Sequence, residues 1–141
     1  MTNNYQIVAV DKPEESAWGI IGRGVAQYNR EKAGENNFQR ICFTLQTGDG
    51  EIAGGILGEI YWGWFYVDLL WVAEELRGKG HGRRLLTQAE EEARRRGAQN
   101  AYLDTFSFQA PEFYEKLGYE VFGTLPHYPE GHTRTFYTKK L

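Results

Sequence analysis

The sequence has little cysteine and no long apolar run, and each shortage excludes a class of protein. Its single cysteine, Cys42, cannot form a disulfide within the chain, and no cysteine and histidine spacing resembles that of a metal site. No apolar run approaches the ~18 residues that a membrane helix needs, and the first residues lack the basic-then-apolar pattern of a signal peptide. We therefore expect a cytoplasmic protein that uses neither metal nor disulfide and does not contact a membrane.

Positive charge is not in excess either. The chain has 16 Lys and Arg residues against 19 Asp and Glu residues, which gives a formal net charge of −3. A protein that binds nucleic acid normally carries a basic patch or stripe, so we expect no nucleic acid partner. The length of 141 residues suits one domain with its own core, and no repeat, linker or low-complexity segment divides residues 1–141. A homodimer is compatible with the sequence, which does not decide the oligomeric state.

Apolar residues that alternate, or that recur every three to four positions, predict the order of strands and helices. They indicate helices at about 17–32 and 111–117, a longer helix that ends at Gly97, and strands at 5–10, 40–46, 51–60, 64–72, 100–105, 119–125 and 133–140. Strands 51–60 and 64–72 are close enough to form an antiparallel hairpin. This order predicts an α/β fold with a mixed, mostly antiparallel central sheet of about six to seven strands flanked by helices.

Three local patterns carry further expectations. Strand 64–72 is almost wholly apolar, which is typical of a strand buried on both faces and makes Asp68 its exceptional residue. Cys42 lies in the apolar run 41–43, so we expect it to be a small core residue. Three consecutive glutamates, 90–92, each precede an arginine by four residues, so this charge run is expected to be the solvated face of the long helix.

The stretch from Val72 to Arg84 separates the apolar strand from the long helix and reads Val-Ala-Glu-Glu-Leu-Arg-Gly-Lys-Gly-His-Gly-Arg-Arg. Glycines at 78, 80 and 82 allow a tight turn whose N–H groups approach a ligand, and the helix adds the positive end of its dipole. The pattern favours a phosphate-binding turn. The alternative is an ordinary glycine-rich turn with solvated arginines, and composition alone does not choose between the two.

Basic side chains crowd the same helix N-terminus, where the helix dipole disfavours cations unless an anion joins them. They are Arg77, Lys79, Arg83 and Arg84. Two common nucleotide-binding motifs do not fit. The stretch contains no Gly-x-x-x-x-Gly-Lys-Ser/Thr, and Gly-Lys-Gly-His-Gly lacks the spacing of Gly-x-Gly-x-x-Gly.

Two segments match patterns of one known family. Residues 77–82, Arg-Gly-Lys-Gly-His-Gly, fit Arg/Gln-x-x-Gly-x-Gly/Ala directly after a strand, and residues 110–119, Ala-Pro-Glu-Phe-Tyr-Glu-Lys-Leu-Gly-Tyr, fit Ala-x-x-Phe-Tyr-x-x-x-Gly-Phe/Tyr. In this the chain resembles the GNAT superfamily of acetyl-CoA-dependent N-acetyltransferases. The resemblance is best from about residue 51 to 122 and faint over the first 40 residues. It implies the fold described above, a single GNAT-like domain over residues 1–141, and acetyl transfer from acetyl-CoA to a primary amine in a ternary complex.

The resemblance also implies where acetyl-CoA binds. Backbone N–H groups of the glycine-rich turn would hold the pyrophosphate, and the end of the preceding strand would hold the pantetheine arm. The residues so implied are Leu70, Trp71, Val72, Arg77, Gly78, Lys79, Gly80, His81, Gly82 and Arg83. An N–H near Trp71 or Val72 would polarise the thioester carbonyl. Ser107 stands where many relatives carry an asparagine, and is the remaining candidate for a cofactor contact.

For the chemistry, Tyr114 matches the family's tyrosine that protonates the departing sulfur of CoA. Family members often place a base four or six residues before the position of Val72, which here gives Asp68 and Tyr66. A carboxylate in so apolar a strand should have its pKa raised by desolvation, which suits it to accept an amine proton directly or through water. Glu59 is the reserve. Both assignments have structural alternatives, since Asp68 can accept hydrogen bonds and Tyr114 can pack in the core.

The acceptor is not identified by the sequence. Aromatic residues are dense near predicted loops and strand ends, where they can hold a cation or a flat apolar group, or can simply be core. They are Trp18, Tyr61, Trp62, Trp64, Phe106, Phe108 and Tyr128. We expect a small-molecule amine as substrate. The alternatives are a protein N-terminus or lysine, or a non-catalytic module that only binds acyl-CoA.

Overall fold

The computed structural model describes residues 4–11 and 15–141. Contacts divide the chain into two units, residues 1–35 and 36–141. In the first unit, helix α1 spans Glu15–Ala33. It ends at Gly34, which has φ of 79° and donates its N–H to the carbonyl of Arg30 at 2.9 Å. Glycine is common at this position because the left-handed conformation is free of Cβ strain there.

The strand predicted at 5–10 is wrong. Residues 4–10 are irregular, and the ladders of the sheet do not include them. An alternating apolar pattern forms a strand only where a neighbouring strand supplies hydrogen-bond partners. That pairing is a tertiary property, which the local pattern does not encode.

The second unit is built on a six-stranded sheet. In chain order the strands are β1 (Gln39–Gln46), β2 (Ile52–Tyr61), β3 (Trp64–Val72), β4 (Asn100–Phe106), β5 (Glu120–Pro126) and β6 (Thr133–Lys140). Their spatial order is β1-β2-β3-β4-β6-β5, and every neighbouring pair is antiparallel except β3 and β4, which are parallel. A 3-10 turn at Glu74–Leu76 and helix α2 (His81–Arg95) connect β3 to β4, and helix α3 (Pro111–Lys116) lies between β4 and β5. The predicted fold class is confirmed.

The β2–β3 hairpin closes through a two-residue turn. Trp62 and Gly63 have φ of 48° and 78°, and Tyr61 pairs with Trp64 across the turn. Two positive φ values in a two-residue loop match the twist of antiparallel strands. β2 therefore ends and β3 begins within the four residues 61–64.

The core lies between α2 and one face of the sheet, which we call the α2 face. Leu86, Ala89 and Ala93 of α2 are completely buried. They belong to one cluster with alternate residues of the strands, which include Ile41, Ile56, Ile60, Phe65, Val67, Ala101 and Leu103. Because side chains alternate along a strand, the residues between these project from the opposite face. Among the helices that the structure describes, none is long and apolar enough to cross a membrane.

Candidate active site

The sheet opens between β3 and β4. These strands pair only from Trp64 to Tyr66, opposite Asn100 to Tyr102. Beyond Tyr66, β3 continues to Val72 and pairs only with β2 among the described strands, so the edge that faces β4 is left unpaired. An unpaired edge offers backbone N–H and C=O groups to an amide-containing ligand. We call this opening the strand gap.

A cleft of about 570 Å³ lies at the end of the gap, and we call it the donor cleft. Its walls come from the end of β3, the glycine-rich turn with the start of α2, and α3. The lining residues are Leu70, Val72, Leu76, Arg77, Gly78, Gly80, His81, Gly82, Arg83, Ala110, Phe113, Tyr114, Lys116 and Leu117. The two sequence segments that match the family therefore line the same cleft, although about 30 residues separate them in the chain.

The glycine-rich turn has the backbone that its sequence predicts. Gly78 and Gly80 have φ of 75° and 85°, which residues with a Cβ rarely adopt. Gly80 is the N-cap of α2, and it provides no side chain to cap the first turn. The N–H groups of 81–83 lie before the first intrahelical hydrogen bond, from Arg84 N–H to the Gly80 carbonyl. They can therefore bind an anion.

The basic residues of the turn have different environments. The Arg77 Nε donates a hydrogen bond to the carbonyl of Val72 at 2.9 Å, which ties the turn to the end of β3. His81 Nδ1 lies 3.3 Å from a guanidinium nitrogen of Arg84. The first turn of α2 has no acidic residue. Positive charge therefore gathers at the positive end of a helix dipole, an arrangement that an anionic ligand would stabilise.

Tyr114 lies in α3 and faces the donor cleft. Its ring packs against Phe113 at 5.1 Å and Tyr119 at 6.0 Å between ring centroids. Burial, together with the negative charge of Asp104, raises the pKa of Tyr114 to about 12. No hydrogen bond joins its hydroxyl to another residue that the structure describes. A protonated phenol with a free hydroxyl can donate a proton to a group in the cleft.

The burial of Asp68 differs from what its sequence context predicts. The strand is not buried on both faces, because Leu69 is 58% exposed and Trp71 53% exposed, and Asp68 is exposed as well. The pairing with β2 moves from Leu69 to Val67 in one step along β2, so Asp68 is the extra residue of a β-bulge. The expected burial of Asp68, and the desolvation argument that depended on it, are therefore wrong. Its position on the unpaired part of β3 still places it beside the strand gap.

Three other predicted cofactor contacts lie outside the lining of the donor cleft. Trp71 projects away from the α2 face, and Lys79 is exposed. The Ser107 hydroxyl accepts a hydrogen bond from the Thr133 N–H at 3.1 Å and lies 3.3 Å from His132 Nδ1. Ser107 therefore fastens the end of β4 to the start of β6, and its role as a cofactor contact stays a prediction.

A second recess, of about 500 Å³, lies on the opposite face of the sheet, and we call it the aromatic pocket. One carboxylate, Glu59, lines it together with Phe38, Tyr61, Trp62, Trp64, Tyr66 and Tyr102. The rings of Tyr66 and Tyr102 stack at 4.8 Å between centroids. These two tyrosines also form the last paired rung of β3 and β4, so the pocket adjoins the strand gap.

The sequence reasoning missed a polar network beside the gap. Asp104 Oδ1 accepts a hydrogen bond from Arg134 Nε at 2.7 Å, and Oδ2 accepts one from the Tyr66 hydroxyl at 3.2 Å. Arg134 also donates to the Tyr128 hydroxyl at 3.0 Å. The alternation of the apolar residues Ala101 and Leu103 along β4 was the available signal, because it placed Asp104 on the face opposite the core.

Two further expectations are wrong. Glu90 is only 6% exposed, so the glutamate run is not wholly a solvated face. Its carboxylate accepts hydrogen bonds from the Tyr119 hydroxyl at 2.6 Å and from Lys139 Nζ at 3.0 Å, which neutralises the buried charge. Cys42 is exposed, because Ile41 takes the core-facing position of β1 and the next residue points the other way.

Comparisons with known proteins agree with this geometry. The family model described as the acetyltransferase (GNAT) family matches residues 8–119. Blasticidin-S acetyltransferase of Streptomyces morookaense is 44% identical over 93 residues, which cover 65% of this chain and 68% of that protein. An acetyltransferase of Agrobacterium fabrum (strain C58 / ATCC 33970) is 35% identical over 134 residues, which cover 95% and 98% of the two chains.

A solved structure extends the likeness to the backbone. The crystal structure of an acetyltransferase from Bacillus cereus ATCC 14579 superposes with a TM-score of 0.87 at 33% identity, and the match covers 95% of this chain and 98% of that one. The chain therefore belongs to the GNAT acetyltransferase family. It is an acetyl-transferring enzyme that uses acetyl-CoA as the acetyl donor.

Proposed function

We propose that the chain acetylates a primary amine of a small molecule by direct transfer in a ternary complex, as one domain over residues 1–141 acting in the cytoplasm. One observation carries the proposal. The donor cleft and the aromatic pocket lie on the two sides of the strand gap, and Tyr66 and Tyr102 form the rung at which the gap begins. A donor and an acceptor that enter from the two sides would meet at the gap.

The donor cleft suits two parts of CoA, the pyrophosphate and the pantetheine arm. The free N–H groups at the start of α2 and the nearby basic side chains fit a pyrophosphate. The unpaired edge of β3 from Asp68 to Val72 fits a pantetheine arm, because the two amides of that arm can form hydrogen bonds as a strand would. Leu70 and Phe113 provide apolar walls.

Two side chains would move protons during transfer. The amine nitrogen attacks the thioester carbonyl carbon, and Asp68 accepts the proton that the nitrogen loses, directly or through water. The C–S bond breaks, and the Tyr114 hydroxyl donates its proton to the departing sulfur. A backbone N–H near Val72 would stabilise the negative charge on the carbonyl oxygen, a contribution worth roughly 3–4 kcal/mol in enzymes where such a donor has been removed. Solvent then restores both protonation states.

The size of the acceptor side favours a small molecule. The aromatic pocket is a local recess of about 500 Å³, within the range of small-molecule sites. The relative from Streptomyces morookaense bears the name of a small-molecule substrate, blasticidin S. A peptide acceptor would need an extended groove in addition.

A substrate panel tests the proposal. CoA release would be followed with alkyl diamines, aryl-alkyl amines, amino sugars, and peptides that offer a free N-terminus or a lysine. We expect transfer to at least one class of small amine, with intersecting initial-rate lines that indicate a ternary complex. Transfer to peptides alone would show that the acceptor is a peptide or protein and not a small molecule. Tight binding of acetyl-CoA without transfer to any amine would favour a non-catalytic module.

A further inference from the structure

The aromatic pocket combines six aromatic rings with a single carboxylate. Tyr61 and Trp62 meet edge to face at 4.6 Å between centroids, and Trp64 meets Tyr102 in the same way at 6.0 Å. The aromatic side chains are neutral, so Glu59 is the one lining residue that carries a formal charge. Partial burial of a charge costs free energy unless a partner offsets it.

Glu59 has no such partner. The residue is partly buried, and among the side chains that the structure describes no lysine, arginine or histidine forms an ion pair with its carboxylate. The neighbouring carboxylate, Asp104, differs in this respect, because Arg134 neutralises it at 2.7 Å. Among the described residues, Glu59 therefore lacks the direct ion pair that Asp104 has.

The nearest cation along the sheet does not fill this place. Arg40 pairs with Glu59 in the β1–β2 ladder, but its guanidinium lies over the ring of Phe38, 5.7 Å from the centroid. Phe38 itself lines the pocket. Arg40 thus stands at the margin of the pocket and should repel a cationic ligand weakly.

The aromatic rings also favour a cation. The faces of tryptophan and tyrosine rings carry negative electrostatic potential, which attracts a cation placed over the face. A neutral flat ligand would gain from stacking but would leave Glu59 without a counter-charge. An anionic ligand would be repelled by both the rings and the carboxylate.

The place of Glu59 fixes its distance from the reaction. It is opposite Tyr66 in the β2–β3 ladder, and Tyr66 is opposite Tyr102 at the mouth of the strand gap. Adjacent strands are about 4.8 Å apart, so Glu59 lies about two strand spacings from the β4 side of the gap. An amine at the gap and a cation at Glu59 would thus be separated by roughly 6–10 Å.

We infer that the acceptor carries a second cationic group, an ammonium or guanidinium, which binds between the aromatic rings and Glu59 while the reacting amine reaches the strand gap. This inference rests on the proposed function, of which it specifies the substrate class. Glu59 is then a binding residue and not the base.

A binding experiment without acetyl-CoA tests the site by itself. Choline and 3,3-dimethyl-1-butanol, a neutral compound of the same shape, would each be titrated into the protein. The fluorescence of Trp62 and Trp64 would report binding. We expect choline to bind at least about tenfold more tightly than the neutral compound. Glu59→Gln should remove this preference, whereas Arg40→Gln should strengthen choline binding, because it removes a like charge. A smaller fluorescence change on choline binding in Trp64→Phe would show that the signal comes from the aromatic pocket.

Acetylation kinetics supply a second readout. Linear α,ω-diamines of three to eight carbons would be compared with monoamines of the same length. We expect a lower KM for the diamines, with an optimum length, and Glu59→Gln should raise the diamine KM about tenfold and so reduce the preference for diamines over monoamines. A uniform loss of kcat for every amine in this variant would make Glu59 the base and overturn the inference.

The outcomes separate this inference from the proposed function. Equal binding of choline and the neutral compound, or choline binding that Glu59→Gln leaves unchanged, overturns the cation site even if small amines are acetylated. Choline binding that depends on Glu59 supports the cation site even if no amine in the panel is acetylated, and in that case only the proposed function fails.

Discussion

The donor cleft and the aromatic pocket are built in different ways. The donor cleft depends mainly on backbone, through the left-handed glycines, the free N–H groups at the start of α2 and the unpaired edge of β3. The aromatic pocket depends on side chains that come from the segment before β1 and from β2, β3 and β4. A backbone site needs glycine at fixed spacing, and a side-chain site can be assembled from residues that are distant in sequence.

This difference has a functional consequence. Substitutions in the donor cleft should change the binding or the use of acetyl-CoA for every acceptor. Substitutions in the aromatic pocket should change which acceptor is used and leave acetyl-CoA affinity alone. A variant that disrupts one of the two sites should therefore leave ligand binding at the other site unaffected.

The largest effect is expected for Tyr114→Phe. This variant removes one hydroxyl that has no hydrogen-bond partner among the described residues, so the fold and acetyl-CoA affinity should be retained. The loss of a general acid should lower kcat by about 10²–10⁴-fold. The measurements are kcat at saturating substrates and the Kd of acetyl-CoA by calorimetry. Tyr137→Phe is the control, because its ring packs 6.4 Å from that of Tyr114 and should change kcat by less than about threefold.

A Tyr114→Phe enzyme within about threefold of the wild type, under conditions in which chemistry limits the rate, would leave Tyr114 as a core residue.

The next effect is expected at the turn. Gly80→Asp adds a negative charge where the backbone would meet the pyrophosphate, and should raise the Kd of acetyl-CoA at least about 100-fold. Gly97→Asp is the matched control, since Gly97 follows the other end of α2 with φ of 100° and also has open space where a Cβ would lie. Both variants carry similar backbone strain, so only the first should lose binding. Choline binding should survive in both.

A folded Gly80→Asp protein that binds acetyl-CoA normally would remove the glycine-rich turn from the donor site.

A smaller effect separates the two sites through stability. Glu90 on α2 bonds Tyr119, which follows α3, and so connects two walls of the donor cleft. Glu90→Ala should lower the free energy of unfolding by about 2–4 kcal/mol, because it leaves Lys139 and Tyr119 without their partner. Urea denaturation would measure this, with exposed Glu91→Ala as a control that changes stability by less than about 0.5 kcal/mol.

The same Glu90→Ala protein should bind acetyl-CoA less tightly and choline as before. Equal weakening of both ligands would mean that the two sites are not structurally independent.

The smallest effect is a pH dependence shared by both sites. Burial, with the charge of Asp104, raises the pKa of Tyr114 and of Tyr66 to about 12. An unfolded tyrosine ionises near pH ~10. Between these values the native state binds more protons than the unfolded state, so the free energy of unfolding should be unaffected by these groups below pH ~10 and should fall between pH ~10 and ~12. Denaturation at a series of pH values checks this.

Tyr114→Phe and Tyr66→Phe should each make that decline shallower, and phenolate absorbance should show one fewer group titrating near pH 12 in each variant. A decline of the same slope in both variants would contradict the burial of these hydroxyls.

The two segments that line the donor cleft could be recognised in the sequence because their determinants are local. Glycine spacing, the strand before it and the helix after it lie within one short stretch, and Tyr114 lies in a second. The two segments meet in the donor cleft as the family resemblance implied. Turn and helix boundaries were likewise predictable, since Gly63, Gly97 and Gly118 adopt the positive φ that ends each element.

The rest depended on tertiary pairing. The exposure of Asp68 follows from a bulge in the β2–β3 ladder, and the burial of Glu90 from Tyr119 and Lys139, which lie 29 and 49 residues further along the chain. The Asp104 and Arg134 pair joins two strands that are neighbours only in the sheet. Residue type and periodicity carry no information on such partners.

The meeting of the two sites at the strand gap is tested most directly by a bisubstrate ligand, in which the sulfur of CoA is joined through a –CH2–C(O)– linker to one nitrogen of an α,ω-diamine. Linking two ligands that bind at once turns the second binding event into an intramolecular one, so its Kd should lie at least about 100-fold below that of CoA. Gly80→Asp and Glu59→Gln should each weaken it. If the ligand binds no more tightly than CoA in calorimetry, the donor cleft and the aromatic pocket do not meet across the gap.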